Sequence, residues 1–239
     1  MACCWAIVAA TLVSWQYVLD TDSWSFIVAS PQELIEQFER HFEVRNTHFQ
    51  TDQDKCGCRR GDPRRAFEFI KNHGININPN YPFIAHLRTD SQIPTHSVKM
   101  FIKDWLDMRG YSVDRVRDEL KLHPIAASIE ATESFMQHRG NSDIFLGDYI
   151  FHPSSSTALH NHVVVVYSID EHEGELYYEV QDSNLDWGEG GFGKILCSLM
   201  NPIGACSGAY IKKVHSVDEH EGELYYEVPD SNHRNITLY

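Results

Sequence analysis

One cysteine near the start of the chain and two polar residues in its second half carry the side chains needed for nucleophilic catalysis. They are Cys4, which heads an apolar run, His162, which heads the run His162–Tyr167, and Asp182. A thiolate can attack a carbonyl carbon, an imidazole can transfer the proton, and a carboxylate can orient the imidazole and stabilise its charged form. If folding brings them into contact, they would form a nucleophile, its base and the base's orienter.

Cys4 has a physical reason to be reactive. The apolar run that follows it predicts a helix, and a thiol at a helix N-terminus lies near unpaired N–H groups and the positive end of the helix dipole. The neighbouring Cys3 is the alternative nucleophile. A cysteine in an apolar run is more often an inert buried thiol, so the assignment depends on its partners.

The two partners also have competing interpretations. His162 precedes four valines, and His160 lies two residues earlier on the same face of the predicted strand, so it is a rival base. Asp182 opens Asp-Ser-Asn, a sequence typical of a turn. In the catalytic interpretation its carboxylate holds the distal ring nitrogen of His162 and fixes the tautomer.

The pattern along the chain predicts helices in the first half and strands in the second. The predicted helices are residues 3–19, enclosed by protein on nearly every face, Pro31–His41, Pro63–His73 with Gly74 as its stop, and a short one at Val113–Leu122. The region Val98–Met108 is ambiguous. Short apolar runs between Gly, Pro, Ser and Asp predict strands at 123–129, 144–151, 163–169, 176–180 and 193–196. This order predicts an α+β protein with two lobes.

Composition restricts the partners and cofactors. The 239 residues carry a formal charge of −14, which argues against binding to nucleic acid, and no apolar run reaches the length of a membrane span. The six cysteines are too few and too unevenly spaced for a disulfide framework; Cys197 and Cys206 are one possible bridge. A zinc site is a weak alternative, because the chain has no Cys-x-x-Cys pair.

The chain contains a near-perfect internal duplication. Residues 166–184 recur at 214–232 with three differences, Tyr167 against His215, Ile169 against Val217, and Gln181 against Pro229. Each copy predicts a hairpin. The second copy lacks the preceding His and the following Trp-Gly motif, so residues 215–239 are interpreted as a catalytically empty extension. A further hypothesis is that this copy competes with residues 166–184 for one sheet position, within one chain or between two.

Short motifs over about residues 3–214 resemble, in order, those of the papain-like (C1) cysteine peptidases. These motifs are Cys4-Trp5-Ala6, Ser30-Pro31-Gln32-Glu33-Leu34, Cys58-Arg59-Arg60-Gly61-Asp62-Pro63, His123-Pro124 through Glu130-Ala131, Asn161-His162, Trp187-Gly188-Glu189-Gly190-Gly191-Phe192 and Gly204-Ala205-Cys206. Each is weak alone, and their common order makes the resemblance specific. It implies a helical lobe at 1–105 and an antiparallel β-barrel-like lobe at 106–214, with the cleft between them.

The resemblance also implies a role for individual residues. Cys4 would be the nucleophile and His162 the base, and Asp182 would be the orienter, or Gln181 if the alignment has no gap after Asn184. Gly61 would pair with the backbone of a peptide or protein substrate. The residues expected to line the pocket for the second substrate residue from the cut are Asp62, Pro63, Ser128 and Val163. The implied activity is that of a thiol endopeptidase without a metal or organic cofactor, and the oligomeric state is left open.

Two other functions stay open at this point. The family's oxyanion-hole glutamine lies six residues before the nucleophile, so if Met1 is the true start this donor and a propeptide are absent, which predicts an impaired or inactive peptide-binding homologue. Alternatively, residues 4–19 are a signal peptide, although no basic residue occurs before Arg40. The family implies a vacuolar, lysosomal or secreted location, and the chain shows no convincing leader for it.

Overall fold

The computed structural model describes residues 3–21, 27–41, 61–84, 97–140, 143–147 and 161–214. Its helices are α1 (Cys4–Thr21), α2 (Pro31–His41), α3 (Pro63–His73), α4 (Val113–Leu120) and α5 (Glu133–Gln137). Its strands are β1 (Ile75–Asn76), β2 (Ser97–Phe101), β3 (Asp104–Asp107), β4 (Ile125–Ile129), β5 (Ile144–Phe145), β6 (His162–His172), β7 (Glu175–Gln181), β8 (Phe192–Leu196), β9 (Met200–Ser207) and β10 (Tyr210–Val214). The α+β class is confirmed.

Local capping explains why α3 starts and stops where the sequence predicts. The Asp62 side chain accepts a hydrogen bond from the Arg64 amide, Pro63 occupies the first helical position, and Gly74 ends the helix with φ of 67°. The prediction for α1 is only partly right. Its first three turns are buried, but Trp15 and Leu19 on a later turn are exposed, so protein does not enclose its whole length.

The strands form two sheets. A seven-stranded sheet has the order β3-β9-β4-β6-β7-β8-β5, and a three-stranded sheet has the order β1-β2-β10. All pairs are antiparallel except β5 with β8. Within the described residues the larger sheet stays open, so the implied barrel-like lobe is an open, mostly antiparallel sheet. The ambiguous region Val98–Met108 supplies β2 and β3, while β9 and β10 were not predicted.

Two hydrophobic cores lie on the two faces of the central strands β4 and β6. Val163 and Val165 pack into a core with α1, α2 and α3, whereas Val164 and Val166 pack into a second core that contains α4 and α5 residues. Because successive strand side chains point to opposite faces, an unbroken apolar run is the pattern expected when both faces are buried. Two thiols also lie in different cores: Cys206 belongs to the first core and Cys197 to the second. Both are free, so the possible bridge between them is not formed.

The hairpin of β6 and β7 matches the prediction for the first repeat copy. Its turn is Glu173-Gly174, with φ of 52° and 85° at the two positions. The second copy lies outside the described residues apart from Val214, which ends β10. No helix in the described part of the chain is both long and apolar enough to cross a bilayer.

Candidate active site

His162 contacts both of the other residues that were singled out for chemistry. Its Nε2 lies 2.5 Å from Oδ2 of Asp182, and its ring also forms a hydrogen bond with the thiol of Cys4. Because Asp182 engages Nε2, Nδ1 is the ring nitrogen left to serve Cys4. The order thiol, imidazole and carboxylate is the one that a nucleophile, its base and the base's orienter require.

Three secondary-structure elements bring these residues together. Cys4 is the first residue of α1, and His162 is the first residue of β6. Asp182 directly follows β7, which runs antiparallel to β6 with Gln181 opposite Val165. The hairpin therefore returns the end of β7 to the start of β6. Helix α1 packs on the face of β6 that carries Val163 and Val165, which places its N-terminus near His162.

Two backbone contacts fix the carboxylate of Asp182. Its Oδ1 accepts a hydrogen bond from the Asn184 amide at 2.6 Å, and its own amide donates to the Gly191 carbonyl oxygen at 2.7 Å. Gly191 has φ of 89°, and a Cβ there would lie 3.1 Å from the Asp182 carbonyl oxygen, so only glycine suits this return of the loop. Asp182 itself is 3% exposed, so its second oxygen faces His162 away from bulk water.

The electrostatics favour a charged pair. Burial opposes the charged form of His162, but the hydrogen bonds and charges of Asp182 and Cys4 raise its pKa to about 9. Burial alone would raise the pKa of the Cys4 thiol, yet the hydrogen bond and positive charge of His162 lower it below the ordinary value. The backbone amides of Val163 and Trp5 lower that pKa further. Each group therefore favours the charged form of the other, a thiolate beside an imidazolium.

The sequence also offered an alternative nucleophile, orienter and base. Cys3 is disulfide-bonded, so its sulfur is not available as a nucleophile. Gln181, the other candidate orienter, lies within β7 and pairs with Val165 and Phe192 across the sheet. His160, the rival base, lies outside the described residues.

The predicted substrate-binding residues all line a single cavity of about 570 Å³. They are Gly61, Asp62, Pro63, Ser128 and Val163. The cavity adjoins the thiol, because the amide of Val163 is one of the donors to Cys4. The cavity is also lined by residues that the sequence did not nominate, among them Tyr178, Cys197 and Met200.

Paired charges border this cavity. Arg64 forms a hydrogen-bonded ion pair with Asp62 and lies 3.6 Å from Asp107, which in turn binds Arg109 at 2.5 Å. Burial opposes the charged form of Asp62, but the hydrogen bonds from Arg64 hold its pKa below the usual range. Because two carboxylates face two guanidinium groups, this border carries no net charge.

Gly61 has a steric reason to be glycine. A Cβ at this position would lie 2.3 Å from the indole ring of Trp5, which follows Cys4. The loop before α3 therefore rests directly on the residue beside the nucleophile. A side chain here would displace either the loop or the indole.

Sequence reasoning missed an aromatic group beside His162. The rings of Phe135 and Trp187 stack with centroids 5.0 Å apart, and Phe135 also contacts the ring of His162. Trp187 belongs to the Trp-Gly-Glu motif, but no local signal distinguishes Phe135. Among the described residues, no group of three His, Cys, Asp or Glu side chains is arranged to hold a metal ion.

Comparison with known proteins gives one family throughout. The model of the papain family cysteine proteases matches residues 2–212. Fruit bromelain of Ananas comosus is 27% identical over 160 residues, which are 63% of this chain and 41% of that protein. Pro-cathepsin H of Mus musculus is 30% identical over 159 residues, 60% of this chain and 44% of that protein. The aligned part thus spans about two fifths of these relatives.

Solved structures show the same fold. Bromelain protease from Ananas comosus in complex with the inhibitor E64 matches with a TM-score of 0.64 and 20% identity, over 87% of this chain and 89% of that chain. Procathepsin L 3 of the Tenebrio molitor larval midgut matches with a TM-score of 0.67 and 20% identity, over 86% of this chain and 63% of that chain.

Proposed function

Because the chain belongs to the papain family of cysteine proteases, we propose that it is an endopeptidase that hydrolyses peptide bonds through a thioester intermediate. The observation that carries this proposal is the position of His162, which bonds to the thiol of Cys4 on one side and to Asp182 on the other. This contact supports a reactive thiolate, and we assign that thiolate to peptide cleavage.

The first half of the reaction forms the acyl-enzyme. The thiolate of Cys4 attacks the scissile carbonyl carbon, and the carbonyl π electrons move onto oxygen. The amide of Cys4 is the first of α1 and has no intrahelical acceptor, so it is suited to donate to that oxygen. When the C–N bond breaks, the imidazolium of His162 gives its proton to the leaving amine and becomes neutral.

The second half releases the product. Neutral His162 removes a proton from water, and the resulting oxygen nucleophile attacks the thioester carbon. The C–S bond breaks, Cys4 regains its thiolate, and His162 keeps the proton that restores the imidazolium. Throughout the cycle Asp182 holds Nε2, so the ring presents the same nitrogen to each partner.

The cavity supplies a binding place for the substrate side chain two residues before the cut. Asp62, Pro63, Ser128 and Val163 line it, and Gly61, which also lines it, offers backbone groups to the substrate. The two-lobe division at residues 105 and 106, with the cleft between the lobes, is part of the same proposal. It is supported by the two cores on opposite faces of β4 and β6.

The test combines labelling with turnover on the full-length chain. We expect an epoxide-type cysteine-protease probe to modify Cys4, and expect internally quenched peptides to be cleaved between interior residues. Cys4→Ala should abolish both, while Cys206→Ala, which removes a free thiol outside the cavity, should retain both. Labelling of Cys4 without cleavage of a broad peptide library would contradict the proposal and favour the alternative, a catalytically impaired peptide-binding homologue.

A further inference from the structure

We propose that the cavity favours an acidic side chain, a glutamate or an aspartate two residues before the cut, and that Arg109 is the residue that selects it. This inference rests on the proposed function, because it concerns the substrate of the same site. Arg109 takes no part in the chemistry at Cys4. It determines specificity through the guanidinium group that it contributes to the lining of the cavity.

The charged groups on the surface of the cavity do not cancel. Among its lining residues Asp62, Arg64 and Arg109 are the charged ones. Asp107, whose carboxylate pairs with Arg109, is not a lining residue. A bound substrate would therefore meet two guanidinium groups and one carboxylate, a net positive charge, although the whole border is neutral.

The one carboxylate on this surface has no acceptor capacity left for a basic side chain. Oδ1 of Asp62 accepts hydrogen bonds from the amide and from Nε of Arg64, at 2.9 and 3.0 Å. Oδ2 of Asp62 accepts from the same Nε at 3.0 Å and from Nη2. An ionised carboxylate offers about four lone-pair sites, so Arg64 fills them. A lysine of a substrate would have to displace Arg64 before it could bind there.

Arg109, by contrast, keeps hydrogen-bond donors that the protein does not use. Asp107 accepts from its Nε at 3.0 Å and from its Nη2 at 2.5 Å. Both N–H groups of Nη1 and one of Nη2 are left without an acceptor among the described residues. A guanidinium edge with parallel N–H groups suits a carboxylate, which can accept from both in a bidentate contact.

Asp107 holds the Arg109 guanidinium in place before a substrate arrives. Besides the two side-chain contacts, Oδ1 of Asp107 accepts from the Arg109 amide at 3.1 Å. The hydrogen bonds and positive charge of Arg109 lower the pKa of Asp107 to about 2, so this carboxylate stays ionised at neutral pH. Binding to a side chain that is already fixed costs less conformational entropy than ordering a free arginine.

The neighbours of Arg109 leave room for a substrate side chain and supply a further donor. Gly110 also lines the cavity, and a Cβ there would meet nothing within 4 Å. The hydroxyl of Tyr111, another lining residue, accepts a hydrogen bond from Nη2 of Arg115 at 2.7 Å. Because that contact uses a lone pair of the hydroxyl oxygen, the O–H group of Tyr111 can still donate to a carboxylate.

The overall charge of the protein acts in the opposite direction. A formal charge of −14 attracts basic peptides and repels acidic ones over long range. A preference for glutamate at one substrate position therefore cannot come from the overall charge. It would have to come from a local cation such as Arg109.

The test compares internally quenched peptides that differ at one position, on the full-length chain at pH 7 and low salt. Three peptides carry Glu, Gln or Lys two residues before the cut, and mass spectrometry verifies that the cut is the same. We expect kcat/KM for the Glu peptide to exceed that for the Gln peptide by about 3- to 5-fold, the scale of an exposed ion pair. The difference should lie in KM, because the contact is the same in the bound substrate and in the transition state.

A fourth peptide controls for net charge. It carries Gln two residues before the cut and Glu four residues before it, and we expect it to be cleaved at the rate of the Gln peptide. Added salt should reduce the preference for Glu, because salt screens an exposed ion pair.

Variants assign the preference to one side chain. In Arg109→Gln the Glu-to-Gln ratio should fall to about 1, and in Arg109→Glu the Lys peptide should become the better substrate. Because the Arg109 side chain is 65% exposed, we expect both variants to fold, which circular dichroism verifies. The matched control is Arg117→Gln, which removes the same charge from α4 at a residue that does not line the cavity. It should keep the wild-type ratio.

Two failures are distinguishable. Equal cleavage of the Glu and Gln peptides by the wild type, an unchanged ratio in Arg109→Gln, or an equal loss in Arg117→Gln would overturn the role of Arg109 and leave the proposed function standing. A wild-type chain that cleaves none of the peptides would overturn both.

Discussion

Two free thiols beside the same cavity differ in chemistry although they are equally buried. Cys4 is 6% exposed and Cys197 is 8% exposed. The pKa of Cys4 lies below the ordinary value for a thiol, whereas burial raises that of Cys197 to about 11. Burial acts on both in the same direction, so it cannot explain the difference between them.

The neighbours of each sulfur explain it. Cys4 bonds to an imidazole that Asp182 keeps charged, so a positive charge compensates the thiolate. Cys197 bonds to the neutral hydroxyl of Tyr178, which offsets only part of the cost of burial. Cys206, the third free thiol among the described residues, has no such cation, and its pKa is also raised by burial. A buried thiol is thus inert unless a protonated base accompanies it.

The largest expected effect comes from removing that base. In His162→Ala no cation offsets the cost of burying the Cys4 thiolate. The pKa of Cys4 should therefore rise above the ordinary value, as that of Cys197 does. We expect alkylation of Cys4 by iodoacetamide at pH 7 to fall by about 100-fold or more, because an unassisted thiol is only a few per cent ionised there. Mass spectrometry measures both sites, and Cys197 serves as internal control. Unchanged labelling of Cys4 would contradict the claim that His162 causes the difference between the two thiols.

A smaller effect is expected from neutralising the orienter. In Asp182→Asn the amide no longer stabilises the imidazolium, so the pKa of His162 should fall from about 9 towards 6.5. The raised pKa keeps His162 protonated at pH values up to about 9, so the variant loses the acid form first at alkaline pH. We expect peptide cleavage at pH 8 to fall by up to about 30-fold, with little change at pH 5.

NMR titration of His162 checks this shift without relying on turnover. A midpoint that stays near 9 in Asp182→Asn would mean that Cys4 alone holds the proton on the imidazole. The account would then need no carboxylate at position 182.

The next largest effect is expected when a methyl group is added beside Trp5, the residue that follows the nucleophile. Gly61→Ala places a Cβ in the space of the Trp5 indole, which should destabilise the fold by about 1–3 kcal/mol and slow labelling of Cys4 by about 10-fold. Denaturant unfolding and labelling rates measure the two effects. Gly110→Ala is the control for destabilisation alone, since Gly110 also lines the cavity and a Cβ there meets nothing within 4 Å, while its φ of 78° makes the substitution strain the backbone. Equal slowing in both variants would contradict the role given to the Trp5 contact.

The smallest effect on Cys4 is expected from Tyr178→Phe. Loss of the hydroxyl removes the hydrogen bond to Cys197, so the pKa of Cys197 should rise further and the fold should lose about 0.5–1.5 kcal/mol. Labelling of Cys4 should stay at the wild-type rate. A change in the labelling rate of Cys4 would show that the surroundings of Cys197 affect the reactivity of Cys4.

Capping residues made the helices of the first half predictable from the sequence. Some strands could not be predicted, because their residues are determined by close contacts with the backbone of other strands. Asp62, Pro63 and Gly74 mark both ends of α3, and the structure keeps them. Strand β9 shows no alternation that a sequence pattern could detect, and it contains Gly204, where a Cβ would lie 2.6 Å from the Leu106 carbonyl oxygen of the approaching β3. Such a constraint arises only when the strands meet.

The candidate site was predictable in chemistry but not in detail. Residue types nominated Cys4, His162 and Asp182, and the resemblance nominated the lining of the cavity. The choice between Asp182 and Gln181 depends on where β7 ends against β6, which no local pattern fixes. The contact of Phe135 with His162 joins separate segments through tertiary packing, so no spacing in the sequence could reveal it.

The most direct test of the contrast between the two thiols is a pH series of iodoacetamide labelling on the wild-type chain, with Cys4 and Cys197 quantified together by mass spectrometry. Circular dichroism at each pH verifies that the chain stays folded. The account predicts that the rate at Cys4 levels off at a lower pH than the rate at Cys197, which is still rising at pH 10. Rates that rise together only above pH 9 would contradict it.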